Sequence, residues 1–345
     1  MSEKSYLDRL DAAREDPVWD QVAGIEKVKD RSRVFTASQI KTMSQCLYQW
    51  YLAYVLKAKE ESKSAATARG TMIHKTVADL HAKHAWNHWE DLLRVNVQAE
   101  LDSIEEQGVP WKREVDPEDY FIADSAGMIK NYVDRNRDAQ TIGVEVPFRM
   151  VLTHPRTGTS YPLVGTVDRL DYDKTGKALT IVDWKTGQTP PDDAFLARDY
   201  QMSGYGLAAK NGIFVMPDGE PLHFDAYPER IVWYQMYNLL PYKRAGTKTN
   251  GTKYVKGDLR GEPEIDVVRR ESDYDAFRAD ICNAIRGIRM GIIWKSGAGF
   301  PGTCAMCRYR SACVTGEYVK SGSSDLADMV IEDREEGVSN GQSGR

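Results

Sequence analysis

The chain is 345 residues long, 41% hydrophobic and 28% charged, with a formal net charge of −5; that size buries a substantial core and excludes collagen-like or wholly low-complexity classes. No apolar run reaches the roughly 20 residues of a membrane-spanning helix and no secretory leader is recognisable, so a cytoplasmic location is expected, with no membrane partner. Residues 1–33 carry eight acids and seven bases, residues 316–345 carry seven acids and three bases, and the stretch between carries thirty-six of each. A neutral core of this kind meets a polyanion through local patches, not through a global field.

In chain order, residues 1–33 read as a polar, helical extension. The spacing of Ile40, Met43, Leu47, Trp50, Tyr51 and Tyr54 predicts a helix from Ala37 to Lys57 with Cys46 beside its apolar face. A second long helix starts near Ala66 and carries His74, His81, His84 and His88. The last two have the i, i+4 spacing of a zinc-protease helix, but no glutamate follows His84, so the HExxH pattern fails and they read as surface or packing residues. Asp116-Pro117-Glu118 is an N-cap acid followed by a first-turn proline, opening a helix to about Asp138.

Strands follow at 143–153, 161–172 and 178–185, the last two joined by the hairpin turn Asp173-Lys174-Thr175-Gly176. A helix at 193–210 and a strand from Arg230 to Tyr237 come next. Tyr242, Lys243, Arg244, Lys248, Lys253, Tyr254, Lys256 and Arg260 form the densest basic patch, readable as a nucleic-acid contact or as a solvated hairpin. Phe277, Ile281, Ile285, Ile288 and Ile292 mark a helix over Tyr274–Trp294, on which Cys282 reads as a small packing residue. From Ser321 the composition is that of a disordered, acidic tail.

The strand pair at 161–185 carries the most chemistry. Alternation along a strand puts Asp183 and Lys185 on one face and Trp184 on the other, and the hairpin brings Asp168 alongside. Two carboxylates suit Mg²⁺ or Mn²⁺, and an ammonium beside them suits a developing phosphate charge. So short a pattern also recurs in ordinary hairpins. Further residues complete it: Gly70 to His74 (GxxxH), Gly165 to Arg169 (GxxDR), Val182 to Gly187 (VDxKTG) and Gln201 to Tyr205 (QxxxY) stand in that order. In this set the chain resembles the RecB-like branch of the PD-(D/E)XK nucleases over roughly residues 36–315.

The resemblance implies an α/β, restriction-endonuclease-like core, a mixed central sheet flanked by helices, with an added helical region. It implies His74, Asp168 and Asp183 as metal ligands, with the Trp184 carbonyl as a candidate fourth, and Lys185 as the catalytic lysine. Gln201 and Tyr205 would position the lysine or the DNA. Glu145, in the strand-like Val144-Glu145-Val146, fits either a supporting ligand or an edge-strand surface acid.

Cys304, Cys307 and Cys313 form a C-x2-C-x5-C set, with Cys46 alone upstream. This layout resembles the iron–sulfur members of the same group, including the AddB nuclease domain and the CRISPR-associated Cas-four exonucleases. It implies a 4Fe-4S cluster stapling the two ends of the domain; structural zinc is the alternative on the same four ligands. Closing so long a loop adds little entropic cost, about 0.6 kcal/mol per doubling of length.

The expected organisation is an extension at 1–33, one nuclease domain at 34–315 and a tail at 316–345. The expected activity is a metal-dependent DNA exonuclease acting on single strands or DNA ends in recombination, repair or replication, in a phage or CRISPR-adjacent setting, alongside recombination or replication proteins. No GxxxxGK(S/T) loop is present, so no ATP is expected. A non-catalytic iron–sulfur DNA-binding or assembly module and a zinc-stabilised endonuclease acting on DNA or RNA are the alternatives.

Overall fold

The computed structural model describes residues 17–28, 34–60, 65–106, 116–248, 251–296, 304, 307–320 and 331–332. The chain forms two compact units, one of Met1–Lys41 with Ser64–Arg286 and one of Thr42–Lys63 with Gly287–Arg345.

The larger unit is built on an eight-stranded mixed sheet. Its strands are β1 (Phe35–Thr36), β2 (Thr141–Thr153), β3 (Ser160–Asp173), β4 (Ala178–Lys185), β5 (Ile213–Val215), β6 (Pro221–Leu222), β7 (Arg230–Gln235) and, beyond a small hairpin, β10 (Glu264–Asp266). The order is β10-β7-β4-β3-β2-β5-β6, with β1 parallel on β3 at Leu163 and Val164. β2, β3 and β4 form an antiparallel meander, whereas β4 and β7 run parallel with Asp183 beside Trp233 and Lys185 beside Gln235. β4 is covered on both faces, so Ile181, Val182, Asp183 and Trp184 are all buried.

One helical layer comprises α3 (Ala65–Lys83), α4 (Trp89–Glu106), α5 (Pro117–Ala123) and α6 (Ser125–Asn136), after the shorter α1 (Ala37–Gln45) and α2 (Leu47–Trp50). Ala68, Met72, Ile73, Val77 and Leu80 of α3 and Met128, Ile129, Tyr132 and Val133 of α6 close over Val182 and Trp184 of β4 and Val232 and Tyr234 of β7. Next come α7 (Asp193–Leu196) and α8 (Tyr200–Asn211), whose end packs on β2 and β5. α9 (Glu271–Arg289) lies close against α8, because a Cβ on Gly206 would fall 2.2 Å from the Tyr274 hydroxyl.

The predicted helix over 37–57 is broken at Cys46, which is extended (φ −165°, ψ 121°) and heads α2; a π-helical turn, Tyr51–Val55, follows. No glycine or proline marks that break. The helix expected through His88 ends at Lys83, and His84 turns left-handed at φ 50°. His88 is an exposed partner of Asp91, 3.7 Å away. The extension read as polar anchors Trp19, Val22, Ile25 and Val28 against Val151 and Ile213, from 3-10 turns at Pro17–Gln21 and Ile25–Lys27. Their three-residue spacing is hidden among charges. Cys282 is buried with its thiol 3.8 Å from the Leu152 carbonyl oxygen, and burial pushes that thiol up to about 12.

The smaller unit joins 47–60 to 307–320. Leu52 and Ala58 pack with Tyr309, Ala312 and Tyr318, Lys59 N–H donates to the Val319 carbonyl at 2.6 Å, and Arg308 pairs with Glu60 at 2.9 Å. α10 (Arg310–Thr315) ends at left-handed Gly316. The stretch expected as a tail starts with β11 (Glu317–Tyr318), antiparallel to β12 (Ile331–Glu332). Residues 321–330 and 333–345 of that tail, and 1–16 and 29–33 of the extension, lie outside the described residues.

A polar network sits inside the helical layer of the larger unit. Arg169 donates to the Tyr132 hydroxyl at 2.6 Å, to Asn136 at 2.8 Å and to Asp171 at 2.7 Å. With its oxygen taken as acceptor, Tyr132 donates onward to His81 Nε2 at 2.8 Å, which makes His81 a neutral acceptor. Burial first, then the Arg169 charge, pushes the His81 imidazole down to about 3. An unfolded histidine protonates near 6.5, so this group contributes stability above that pH that is lost as pH falls towards its folded pKa, by about 1.4 kcal/mol per unit. The melting temperature of the wild type is expected to drop more steeply between pH 7 and pH 5 than that of His81→Leu. Parallel curves would remove His81 as the cause.

Candidate active site

The pairing of β3 with β4 ends at Arg169 and Val182, so Asp168 and Asp183 stand where the two strands part. There the Asp168 carboxylate replaces a strand partner, accepting the Trp184 N–H at 2.7 Å. Gly165, three residues earlier, has its missing side chain filled by Phe148, to whose ring an added Cβ would come within 2.3 Å. That close approach lets β3 run under α1 toward the two acids.

Asp183 and Lys185 close a ring with α8. Lys185 Nζ donates to Gln201 Oε1 at 2.9 Å, Gln201 Nε2 donates to the Tyr205 hydroxyl at 2.7 Å, and that hydroxyl donates to Asp183 Oδ1 at 3.0 Å. The ion pair of Lys185 with Asp183 Oδ2 completes it. The i, i+4 spacing of Gln201 and Tyr205 on one helix face makes this possible. Asp199 caps α8 through the Met202 N–H, and Arg269 ties down the α7–α8 junction through the Leu196 and Asp199 carbonyls.

From the other side, α3 delivers His74, whose Nδ1 lies 3.5 Å from Asp168 Oδ2 and whose ring meets Trp184 edge to face. One turn earlier, Gly70 leaves room for Thr186, whose hydroxyl would be 3.0 Å from an added Cβ. Glu145 comes from β2, between Val144 and Val146, which pair with Arg169 and Val167, and so lies across from Asp168. It is in the left-handed region at φ 49°, a costly conformation for a glutamate in a strand. Ligand atoms of His74, Glu145 and Asp168 all fall within 4.8 Å of one another, close enough that the three could hold one metal ion.

The electrostatics fit a cation there. Burial first, then the Asp168 charge, pushes the Glu145 carboxyl up to about 7, and burial also pushes Asp183 up against the pull of Lys185. Burial lowers His74, but its hydrogen bond to Asp168 and the charges of Asp168 and Asp183 outweigh that and leave it raised. Asp183 Oδ2 is buried with no hydrogen-bond donor of proper geometry. Three acids and an imidazole crowded in this way are a donor set for a hard divalent ion.

The residues expected for the nuclease centre, His74, Asp168, Asp183, Lys185, Gln201 and Tyr205, gather here, whereas the four expected cluster cysteines lie in the smaller unit. Asp183 is outside the set that closes to 4.8 Å, its oxygens being engaged by Tyr205 and Lys185, and Glu145 stands in that set. Lys41 on α1 was not legible. Burial, then the Lys185 charge, lower its pKa against the pull of Asp183, Asp199 and Asp168, so its ammonium lies within electrostatic reach of this site. The pairing of β1 with β3 and the approach of Ala37 to Gly165 bring the start of α1 to β3.

In the smaller unit, Cys46, Cys304, Cys307 and Cys313 stand outside any disulfide. Burial and the neighbouring thiols push Cys307 and Cys313 up, so the four are mutual electrostatic neighbours. Burial opposes ionisation of Cys46 too, but hydrogen bonds from the Ser296 hydroxyl and the N–H groups of Gln49, Ser296 and Tyr48 leave it lowered.

No helix among the described residues is long and apolar enough to cross a membrane. No curated protein matches the chain. A solved structure titled "Crystal structure of SSO0001" is 12% identical, with an alignment covering 81% of this chain and 95% of that one at a TM-score of 0.28, too low to bear on fold or function. The family model described as the PD-(D/E)XK nuclease superfamily matches residues 34–314. Members are nucleases that use Mg²⁺ or Mn²⁺, and the mixed sheet, the flanking helices and the acidic site agree with that match. The chain belongs to the PD-(D/E)XK nuclease superfamily.

Proposed function

We propose that this protein is a metal-dependent DNA exonuclease acting on single-stranded DNA or DNA ends, in recombination, repair or replication. The observation that carries the reading is the closed ring of Lys185, Gln201, Tyr205 and Asp183 set against the His74, Glu145 and Asp168 donors. His74, Glu145 and Asp168, with Asp183 beside them, would hold Mg²⁺ or Mn²⁺. When bound, such an ion polarises a scissile phosphate and lowers the pKa of a bound water.

The chain's own residues supply the rest. Lys185 is kept as an ammonium: burial disfavours its charge, but Asp183 and Asp168 more than offset this. It therefore acts as a cation on the phosphate and an orienter of the attacking water, not as a base. Gln201 and Tyr205 fix its direction, and Trp233, with its ring centre 5.1 Å from Lys185 Nζ, limits where it can swing. Lys41 adds a second positive charge from the exposed side, suited to the adjoining phosphate. Hydrolysis of end-labelled single-stranded DNA with Mn²⁺ should fall roughly a hundredfold or more in Lys185→Ala and about tenfold in Lys41→Ala. Undiminished cleavage by Lys185→Ala would sink the mechanism.

For the smaller unit the proposal is a 4Fe-4S cluster on Cys46, Cys304, Cys307 and Cys313. The electrostatic proximity of the thiols, and the hydrogen bonds that lower the Cys46 pKa, support a metal-centred staple. Anaerobically purified protein should be brown, and Cys46→Ala should be both bleached and less stable to heat. A colourless wild type holding one zinc per chain would replace the cluster with the tetrahedral alternative, and a brown, equally stable Cys46→Ala would remove Cys46 from the ligand set.

A further inference from the structure

Residues 242–260 carry six bases and one acid in a chain whose net charge is −5. They form an excursion between β7 and β10, built on β8 (Gly246–Thr247) and β9 (Lys253–Tyr254), antiparallel with Gly246 opposite Tyr254. The excursion leaves the sheet just beyond Gln235, the residue paired with Lys185, so it rises from the same end of the sheet as the site. Its base is closed by the Pro241–Leu259 bridge and by the Arg260 N–H to the Leu240 carbonyl at 3.3 Å.

Its cations divide by role. Tyr242 and Tyr254 stack face to face with ring centres 3.6 Å apart, and the Arg260 guanidinium lies 5.1 Å from the Tyr242 ring and 4.6 Å from that of Tyr237. Lys248 Nζ donates to the Arg260 carbonyl at 2.9 Å. These half-buried groups stiffen the hairpin, and Gly246 is needed because an added Cβ would fall 2.4 Å from the Tyr254 hydroxyl. The one acid, Asp258, is exposed and tied to its own turn, accepting the Val255 N–H at 2.9 Å. Lys243, Arg244, Lys253 and Lys256 are left on the exposed surface, with Lys243 near Asp124 at 3.4 Å.

We infer that this braced basic hairpin is a docking arm for the sugar–phosphate backbone of the nucleic acid on which the site acts. The inference rests on the nuclease reading of that site. The tyrosine faces are used internally, so the arm reads charge and not bases, and its binding is independent of sequence. A stiff arm rising from the site's end of the sheet compensates for a chain with no global positive field.

The test is equilibrium binding of a fluorescent single-stranded oligonucleotide to the full-length protein, with EDTA present so that no cleavage intervenes, over a salt series. Arg244→Glu/Lys253→Glu/Lys256→Glu should weaken binding by about tenfold or more at moderate salt and make the slope of log K against log salt shallower by about 2, three phosphate contacts at roughly 0.7 each. An unchanged melting temperature shows that the triple variant folds. Equal affinity and an equal salt slope in the folded variant would overturn the arm, as would a wild type whose binding is indifferent to salt. Because the readout needs no hydrolysis, a wild type that binds through the arm but never cuts DNA would fail the nuclease reading alone.

Discussion

Asp183 is a carboxylate with 1% of its side chain exposed, and everything around it answers to that burial. An isolated charge in such a place is costly, and removing one partner of a buried pair costs roughly 3–5 kcal/mol. The protein meets this cost with the Lys185 ammonium on one oxygen and the Tyr205 hydroxyl on the other, then orients both through Gln201. The lysine cannot leave without stranding the acid, and α8 cannot rotate without breaking two bonds. Positioning for chemistry and satisfaction of a buried charge are therefore the same set of contacts.

The same logic extends outward. Trp184, between the acid and the lysine, turns its side chain into the opposite layer, where it is wholly buried among His74, His81 and Tyr132. Its backbone N–H meanwhile holds Asp168. Each face of β4 is thus fixed by a different helix layer, and the two acids are set at the point where β3 and β4 diverge. Arg169, next to Asp168, locks β3 to α6 through Tyr132 and Asn136, so the site is braced from behind by groups that never reach it.

Much of this was legible in the residues. The strands at 143–153, 161–172 and 178–185 were fixed by alternation and a turn of Asp, Thr and Gly, and lie close to β2, β3 and β4. Gln201 and Tyr205 share a helix face by spacing alone. What stayed hidden depends on tertiary placement. Lys41 reaches the site because β1 pairs with β3, a contact between residues over a hundred positions apart. Glu145 was left undecided, since nothing local announces that a strand residue adopts φ 49° opposite Asp168. The break at Cys46 carries no helix-breaking residue, so periodicity ran straight through it.

If His74, Glu145 and Asp168, backed by Asp183, form one site for a hard divalent cation, isothermal titration of Mn²⁺ into the wild-type protein should show a single strong site, abolished in Asp168→Asn and weakened in Glu145→Gln. Absence of Mn²⁺ binding in the wild type, or binding unaltered in Asp168→Asn, would contradict it.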